Sequence, residues 1–171
     1  RQVVSGDRVA AFMPNVSETI IGMLAATSIG AIWSSCSPDF GINGVMDRFG
    51  QIEPKILIAC DGYFYNGKTI DCLPRVQDIC RNINSIEHVL IVPVTCQNTS
   101  IHDIAGATWY DDFLLKENTP ELIFEQLPFD HPLYIVYSSG TTGVPKCIVH
   151  SAGGTLIQQL KEQQLHVDLK S

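Results

Sequence analysis

The residues in this sequence that are best suited to chemistry stand side by side at positions 137–146, which read Tyr-Ser-Ser-Gly-Thr-Thr-Gly-Val-Pro-Lys. We call this segment the glycine-rich loop. Gly140 and Gly143 permit backbone angles that other residues resist, so several backbone N–H groups can converge on one anion. Lys146 adds a compact positive charge that can lie against a polyphosphate, and Pro145 before it restricts one backbone dihedral. The pattern predicts a loop that binds phosphate groups.

Hydroxyl side chains in the same loop add further hydrogen-bond donors. The candidate phosphate-binding residues are Ser138, Ser139, Gly140, Thr141, Thr142, Gly143 and Lys146. The spacing differs from that of the nucleoside-triphosphatase loop, which has four residues between its glycines and a Ser or Thr after its lysine. Here Cys147 follows the lysine. A plain turn between two strands is the simpler alternative, but such a turn does not need glycines, hydroxyls and a lysine together.

The elements that must position this loop are short apolar runs on both sides of it. Residues 133–136 are suited to a buried strand, and residues 147–149 form a second run rich in β-branched side chains. In open α/β sheets, ligands bind beyond the carboxyl ends of the strands. A phosphate-binding loop directly after a strand agrees with that rule.

The rest of the chain alternates between predicted strands and predicted helices. The strands are expected at 9–13, 31–33, 55–59 and 88–92, and the helices near 15–29, 45–52, 73–83, 110–115 and 154–166. Residues 93–109 are polar and irregular, which favours a surface excursion. The fold class predicted by this alternation is α/β, a partial doubly wound sheet flanked by helices.

Three local signals refine the first part of this prediction. Asn15 and Glu18 have the spacing of a reciprocal helix cap, and Gly30 is placed to end the same helix in a left-handed turn. The uncharged stretch 19–38 is long enough to raise the question of a membrane span. The cap and stop signals divide it into a helix and a strand, so we expect no span. Trp33 and Phe40 are expected to be core aromatic residues.

Composition narrows the class of partner and the compartment. The chain has 171 residues, 45% of them apolar, and a net charge of −7 with 11 scattered basic residues, so nucleic acid is not expected as a partner. The six cysteines form no Cys-x-x-Cys pair, so no metal site is expected. Their even number could suggest three disulfides, but most lie in apolar runs of a large apolar chain, which predicts reduced structural thiols in a reducing compartment. The scattered histidines are expected to be structural, and no catalytic residue is assigned: His88, His102, His131, His150 and His166.

The glycine-rich loop resembles, at every defining position, the signature loop of the acyl-adenylate-forming ligases, a superfamily that includes the acyl-CoA synthetases. The resemblance implies an AMP-binding domain that uses ATP, Mg2+ and coenzyme A. Further blocks are similar to the cytosolic ligases of that superfamily that activate acetoacetate; these blocks are residues 30–41, 65–68, 125–128 and 150–157. Cytosolic localisation is implied in the same way.

The same resemblance implies which parts of an enzyme this chain holds. In the superfamily, the groups for ribose and adenine, a hinge and a lysine in a mobile C-terminal domain follow the loop. We therefore expect residues 1–171 to be a portion of the N-terminal AMP-binding domain, with the C-terminal domain absent, and expect this chain alone not to catalyse the full reaction. Two alternatives stay open: a ligase for another short acid such as acetate, and a non-catalytic product of truncation that binds a nucleotide or a partner.

Overall fold

The structure is a computed structural model that describes residues 3–96, 100–114, 121–138 and 143–170. Its strands are β1 (Arg8–Phe12), β2 (Ile32–Cys36), β3 (Ile56–Cys60), β4 (Gly62–Tyr65), β5 (Lys68–Asp71), β6 (His88–Val92), β7 (Ala107–Trp109), β8 (Pro132–Ser138) and β9 (Lys146–Ser151). Its helices are α1 (Ser17–Ser28), α2 (Ile42–Ile52), α3 (Leu73–Asn82), α4 (Tyr110–Phe113) and α5 (Ala152–Lys161), the last continuing as a π-helical turn, Glu162–His166.

Seven of these strands form one sheet in the order β7-β6-β3-β1-β2-β8-β9. All neighbouring pairs in it are parallel except β8 and β9, which are antiparallel. Strand β1 pairs with β2 on one side and with β3 on the other, so that Val9 faces both Trp33 and Ile56 in register. All five residues of β3 are buried, as an apolar run covered on both faces should be.

Helices cover both faces of this sheet. The connection from β1 to β2 and the connection from β2 to β3 run in opposite directions, and right-handed crossovers then place α1 and α2 on opposite faces. Helix α1 lies close to the strands at Gly22, where an added Cβ would stand 2.9 Å from the Ile58 side chain. Helix α3 packs beside α2. The predicted doubly wound α/β arrangement is therefore confirmed.

The carboxyl ends of the parallel strands share one edge of the sheet. Strand β8 joins the sheet beside β2 through the pair Trp33 and Tyr134, so Ser138 at its end reaches that edge. The prediction that residues 133–136 are buried holds for Ile135 but is wrong for Val136, which is 41% exposed. Successive side chains of a strand point to opposite faces of the sheet, so Val136 lies on the other face from Ile135, and that face of β8 is less well covered there.

Several local predictions are corrected by the structure. The N-cap of α1 is Val16, without a side-chain cap bond, so the predicted Asn15 and Glu18 cap is wrong; the Thr19 hydroxyl instead donates to the Pro14 carbonyl at 2.8 Å. Gly30 does adopt a left-handed conformation, with φ of 76°. Phe40 is 38% exposed rather than part of the core, whereas Trp33 is buried as expected.

Three strands were not predicted. Strands β4 and β5 form an antiparallel hairpin whose turn contains Asn66 and Gly67, both with positive φ. Asn-Gly between short strands is a hairpin signal, but the segment is too polar to resemble a core strand. Strand β7 lies within residues 93–109, and its side chains are only partly buried. Among the described helices, none is both long and apolar enough to cross a membrane.

Helix α2 packs into the core through Val45, Phe49 and Ile52. Phe49 has no solvent-exposed surface. Replacing Phe49 with Ala should lower the free energy of unfolding by about 3 to 5 kcal/mol, because it removes a fully buried ring and leaves a cavity. Urea denaturation of the variant and the parent protein measures this loss.

The matched control is the same substitution at Phe64, whose side chain is 65% exposed in the hairpin. Phe64→Ala should change the free energy of unfolding by no more than about 0.5 kcal/mol. Equal losses for the two variants would contradict the assignment of Phe49 to the core.

Candidate functional site

The two ends of the glycine-rich loop lie opposite each other at the carboxyl edge of the sheet. Ser138 is the last residue of β8 and Lys146 the first of β9, and the two residues are partners in the antiparallel ladder. Lys146 is solvent-exposed. The ladder therefore places a hydroxyl group and a lysine on neighbouring strands, at the edge where α/β sheets bind ligands.

The structure describes three of the seven predicted phosphate-binding residues, Ser138, Gly143 and Lys146. Gly143 has φ of 99° and open space where a Cβ would stand, which confirms the expectation of an unusual backbone angle there. Ser139, Gly140, Thr141 and Thr142 lie outside the described residues. The loop connects two strands, as a plain turn would. The strand ends that it joins are, however, also held by side chains from other parts of the fold.

Tyr137, the first residue of the loop, points into the protein. Its hydroxyl lies 2.9 Å from the Ser34 hydroxyl, which also donates to the Ile135 carbonyl at 2.9 Å. Burial raises the pKa of Tyr137 well above its usual range, although the hydrogen bond with Ser34 and the charge of Arg48 oppose the rise. Tyr137 is therefore a neutral anchor for the end of β8 at physiological pH.

Arg48 of α2 lies between two aromatic rings. Its guanidinium carbon is 4.4 Å from the centroid of Phe40 and 5.6 Å from that of Tyr137, distances that allow cation–π attraction. The guanidinium also donates to the Gly44 carbonyl at 2.7 Å. Gly44 leaves space for the Phe40 ring, because a Cβ added at Gly44 would stand only 3.2 Å from that ring.

Gln51, one turn further along α2, contacts the other end of the loop. Its Nε2 donates to the Pro145 carbonyl at 2.9 Å and also to the Asp47 carbonyl within the helix. The Pro145 carbonyl belongs to the peptide group that continues into Lys146. Helix α2 thus reaches both described ends of the glycine-rich loop.

A cleft of about 400 Å³ lies between β2, β8 and α2. Its lining includes Trp33, Cys36, Phe40, Arg48 and Tyr137. Most of this surface is apolar, and Arg48 is the charged side chain in it. Phe40, expected in the core, is a wall of this cleft.

Ionisable groups elsewhere do not form a metal centre in the parts of the chain that the structure describes, where no group of three His, Cys, Asp or Glu side chains could hold an ion. His131 and His150 have structural contacts. The His131 Nε2 lies 2.9 Å from the Gly30 carbonyl, and the His150 ring lies 5.2 Å from that of Tyr134. All six cysteines have free thiols, with Cys36, Cys60 and Cys72 buried.

Ser34, Arg48 and Gln51 were not recognised from the sequence. The helical spacing of Arg48 and Gln51 puts them on one side of α2, which was visible in advance. Their partners were not, because Gln51 and Pro145 are 94 positions apart and Ser34 and Tyr137 are 103 apart. No local pattern records such contacts.

Comparison with known proteins agrees with this fold. The chain belongs to the family of AMP-binding enzymes, whose profile matches residues 1–170. This match bears out the resemblance to acyl-adenylate-forming ligases. Acetoacetyl-coenzyme A synthetase of Rhizobium meliloti (strain 1021) is 54% identical over 167 residues, which are 97% of this chain and 25% of that protein.

Two further comparisons point the same way. The acetoacetyl-CoA synthetase of Mus musculus is 49% identical over 174 residues, covering 99% of this chain and 26% of that protein. The structure of acetoacetyl-CoA synthetase from Streptomyces lividans matches with a TM-score of 0.89 at 41% identity, covering 98% of this chain and 25% of the other. The chain spans about a quarter of the length of these relatives.

Cys36 in the cleft should resist alkylation. Burial raises the pKa of its thiol to about 11, an effect that the nearby Arg48 charge only partly offsets. At pH 8 only about one such thiol in a thousand is ionised, and the thiolate is the reactive form. Iodoacetamide should therefore modify the exposed Cys96 at least about tenfold faster than Cys36.

Peptide mass spectrometry at a series of reaction times measures the two rates. In urea both cysteines should react at similar rates, which is the internal control. Equal rates in the folded protein would contradict the burial of Cys36. Alkylation of the denatured protein with and without a reducing agent also counts free thiols, and six are expected in both samples.

Proposed function

We propose that a protein containing this chain activates acetoacetate to acetoacetyl-CoA at the expense of ATP, and that this chain supplies the phosphate-binding loop. The observation that carries the proposal is the placing of Ser138 and Lys146 as ladder partners at the carboxyl edge of the sheet. The match to AMP-binding enzymes and the names of the relatives support it. Residues 1–171 would correspond to a portion of the N-terminal adenylation domain.

The proposed reaction has two steps. A carboxylate oxygen of acetoacetate attacks the α-phosphorus of ATP, a P–O bond forms, and the bond to the β-phosphate oxygen breaks with release of pyrophosphate. The sulfur of coenzyme A then attacks the acyl carbon of the adenylate, loses its proton, and AMP leaves. ATP, acetoacetate and coenzyme A are therefore the proposed substrates, and pyrophosphate and AMP are the products alongside the thioester.

In this proposal the glycine-rich loop acts in the first step. Lys146, the hydroxyl groups and the loop N–H groups surround the β- and γ-phosphates and stabilise the negative charge that develops on the departing pyrophosphate. The proposed phosphate-binding residues are Ser138, Ser139, Gly140, Thr141, Thr142, Gly143 and Lys146. The protein carries a net charge of −7, so a local concentration of donors is needed to attract a polyphosphate.

Magnesium would accompany the nucleotide, bound by phosphate oxygens. The described residues contain no acidic or histidine cluster of their own for an ion, and no step above depends on one. We also propose that the protein works in the cytosol. The free thiols of the six cysteines support a reducing compartment.

Replacing Lys146 with Ala tests the loop. In the gene product that contains these 171 residues, the variant should slow the exchange of labelled pyrophosphate into ATP by about tenfold or more, because a charge-assisted contact to phosphate is lost. A control, Arg81→Ala, removes an exposed positive charge at the C-terminal end of α3, and should leave exchange unchanged.

Unchanged exchange in Lys146→Ala would overturn the proposed role of the loop. A second variant tests the backbone rather than the charge. The double substitution Gly140→Val and Gly143→Val should reduce exchange further, because a β-branched residue opposes the positive φ seen at Gly143.

A panel of short acids tests the proposed substrate. With ATP and coenzyme A, acetoacetate should have a kcat/KM at least about tenfold above that of acetate, because an enzyme that activates acetoacetate would bind its second carbonyl group in the transition state and acetate lacks that group. Formation of AMP and thioester measures the rates. A preference for acetate would favour the alternative short-acid ligase. Nucleotide binding without thioester formation from any acid would favour a non-catalytic binding role.

A further inference from the structure

Helix α2 contacts the glycine-rich loop at both of its described ends. Near the start of the loop, Arg48 lies over the Tyr137 ring. At its end, Gln51 donates to the Pro145 carbonyl. The two helix residues are three positions apart and so lie on the same side of the helix. One rigid element therefore spans the pair of strand ends from which the loop projects.

The Gln51 amide is itself oriented before it reaches the loop. Its Nε2 donates both to the Asp47 carbonyl in the preceding turn and to the Pro145 carbonyl 2.9 Å away. Because a peptide group is planar, an anchored Pro145 carbonyl fixes the plane that also contains the Lys146 N–H. This bond, together with the pairing of Ser138 and Lys146 in the ladder, restricts the direction in which the backbone enters Lys146.

The Arg48 contact restricts the opposite strand end. The guanidinium packs between Phe40 and Tyr137, and the Tyr137 hydroxyl is held by Ser34 of β2. Tyr137 precedes Ser138, the ladder partner of Lys146. With β8 anchored in this way, a contact at Pro145 defines the position of Lys146 relative to the sheet.

Helix α2 can hold the two contacts in place because its other side is buried in the core. Val45, Phe49 and Ile52 are in the core, whereas Gln51 is exposed and contributes nothing to it. An exposed glutamine on a helix is most often only solvated. Here its amide bonds a residue 94 positions away, next to the lysine of the loop.

We propose that Gln51 is a positioning residue that holds the Pro145–Lys146 peptide, and thereby directs Lys146 toward the phosphates of ATP. This inference rests on the proposed phosphate-binding function of the loop. Gln51 does not contact the nucleotide in this scheme and acts through Lys146.

The test is the substitution Gln51→Ala in the gene product that contains these residues. The KM for ATP in pyrophosphate exchange should rise about three- to tenfold, the range expected for loss of one net hydrogen bond, while the KM for acetoacetate stays within about twofold. Gln51→Glu keeps the size of the side chain but replaces the donor with an acceptor, and should show the same rise. Both changes are at an exposed helical position, so the urea midpoint should stay close to that of the parent.

A matched control is Gln77→Ala. Gln77 is half-buried on α3 and donates to the Asp103 carbonyl at 3.0 Å, a comparable bond from a helix to a loop near the opposite end of the sheet. This variant should leave the KM for ATP unchanged. A rise equal to that of Gln51→Ala would mean that general loosening causes the effect, and would overturn the inference.

A double-mutant cycle decides whether Gln51 acts through Lys146. If it does, adding Gln51→Ala to Lys146→Ala should have no further effect on ATP binding, because coupled residues are non-additive. Fully additive effects would overturn the positioning role, as would a normal KM for ATP in Gln51→Ala when Lys146→Ala is impaired. If Lys146→Ala itself is unimpaired, the proposed function of the loop fails first, and the inference falls with it.

Discussion

The arrangement of this protein depends on the burial of its central parallel strands on both faces. Strands β1 and β3 expose almost no side chain to solvent, so helices must cover the sheet above and below. Polar groups available for chemistry are then left at the strand ends and in the loops that follow them. The site at the end of β8 is a consequence of this division between an apolar interior and a polar edge.

The antiparallel pairing of β8 with β9 adds a second constraint. A parallel strand would need a long crossover, whereas an antiparallel one can return directly after a short loop. The return places Lys146 beside Ser138. A positive charge and hydroxyl donors are thereby concentrated in a small region of a protein whose overall charge is negative. This local region, rather than the whole surface, can then attract a polyphosphate.

Helix α2 contributes both to the hydrophobic core and to the carboxyl edge of the sheet. Its apolar side fills the core around Phe49, and its polar side carries Arg48 and Gln51 to the strand ends. The cleft between β2, β8 and α2 is bounded by the same aromatic residues that hold Arg48. A change in the packing of α2 would therefore be transmitted to both ends of the glycine-rich loop, since the helix cannot move without displacing its contacts there.

The features that could be predicted from the sequence were local. Apolar runs such as 55–59 and 88–92 predicted strands β3 and β6 within one residue, because a strand buried on both faces must be continuously apolar. The spacing of apolar residues predicted α2, and the run of glycines, hydroxyls and a lysine predicted the loop. The resemblance of that loop to a known superfamily, rather than its chemistry alone, predicted the class of reaction.

Where local signals were weak or competed with other contacts, the predictions failed. Asn15 could cap α1, yet the N-cap is Val16, and the Thr19 hydroxyl donates to the Pro14 carbonyl in the first turn. The strand order, the exposure of Phe40 and the partners of Ser34, Arg48 and Gln51 depend on contacts across the whole fold. Those features join residues far apart in the chain, and the free energy that selects them comes from packing the whole sheet and its helices together, which no short stretch of sequence contains.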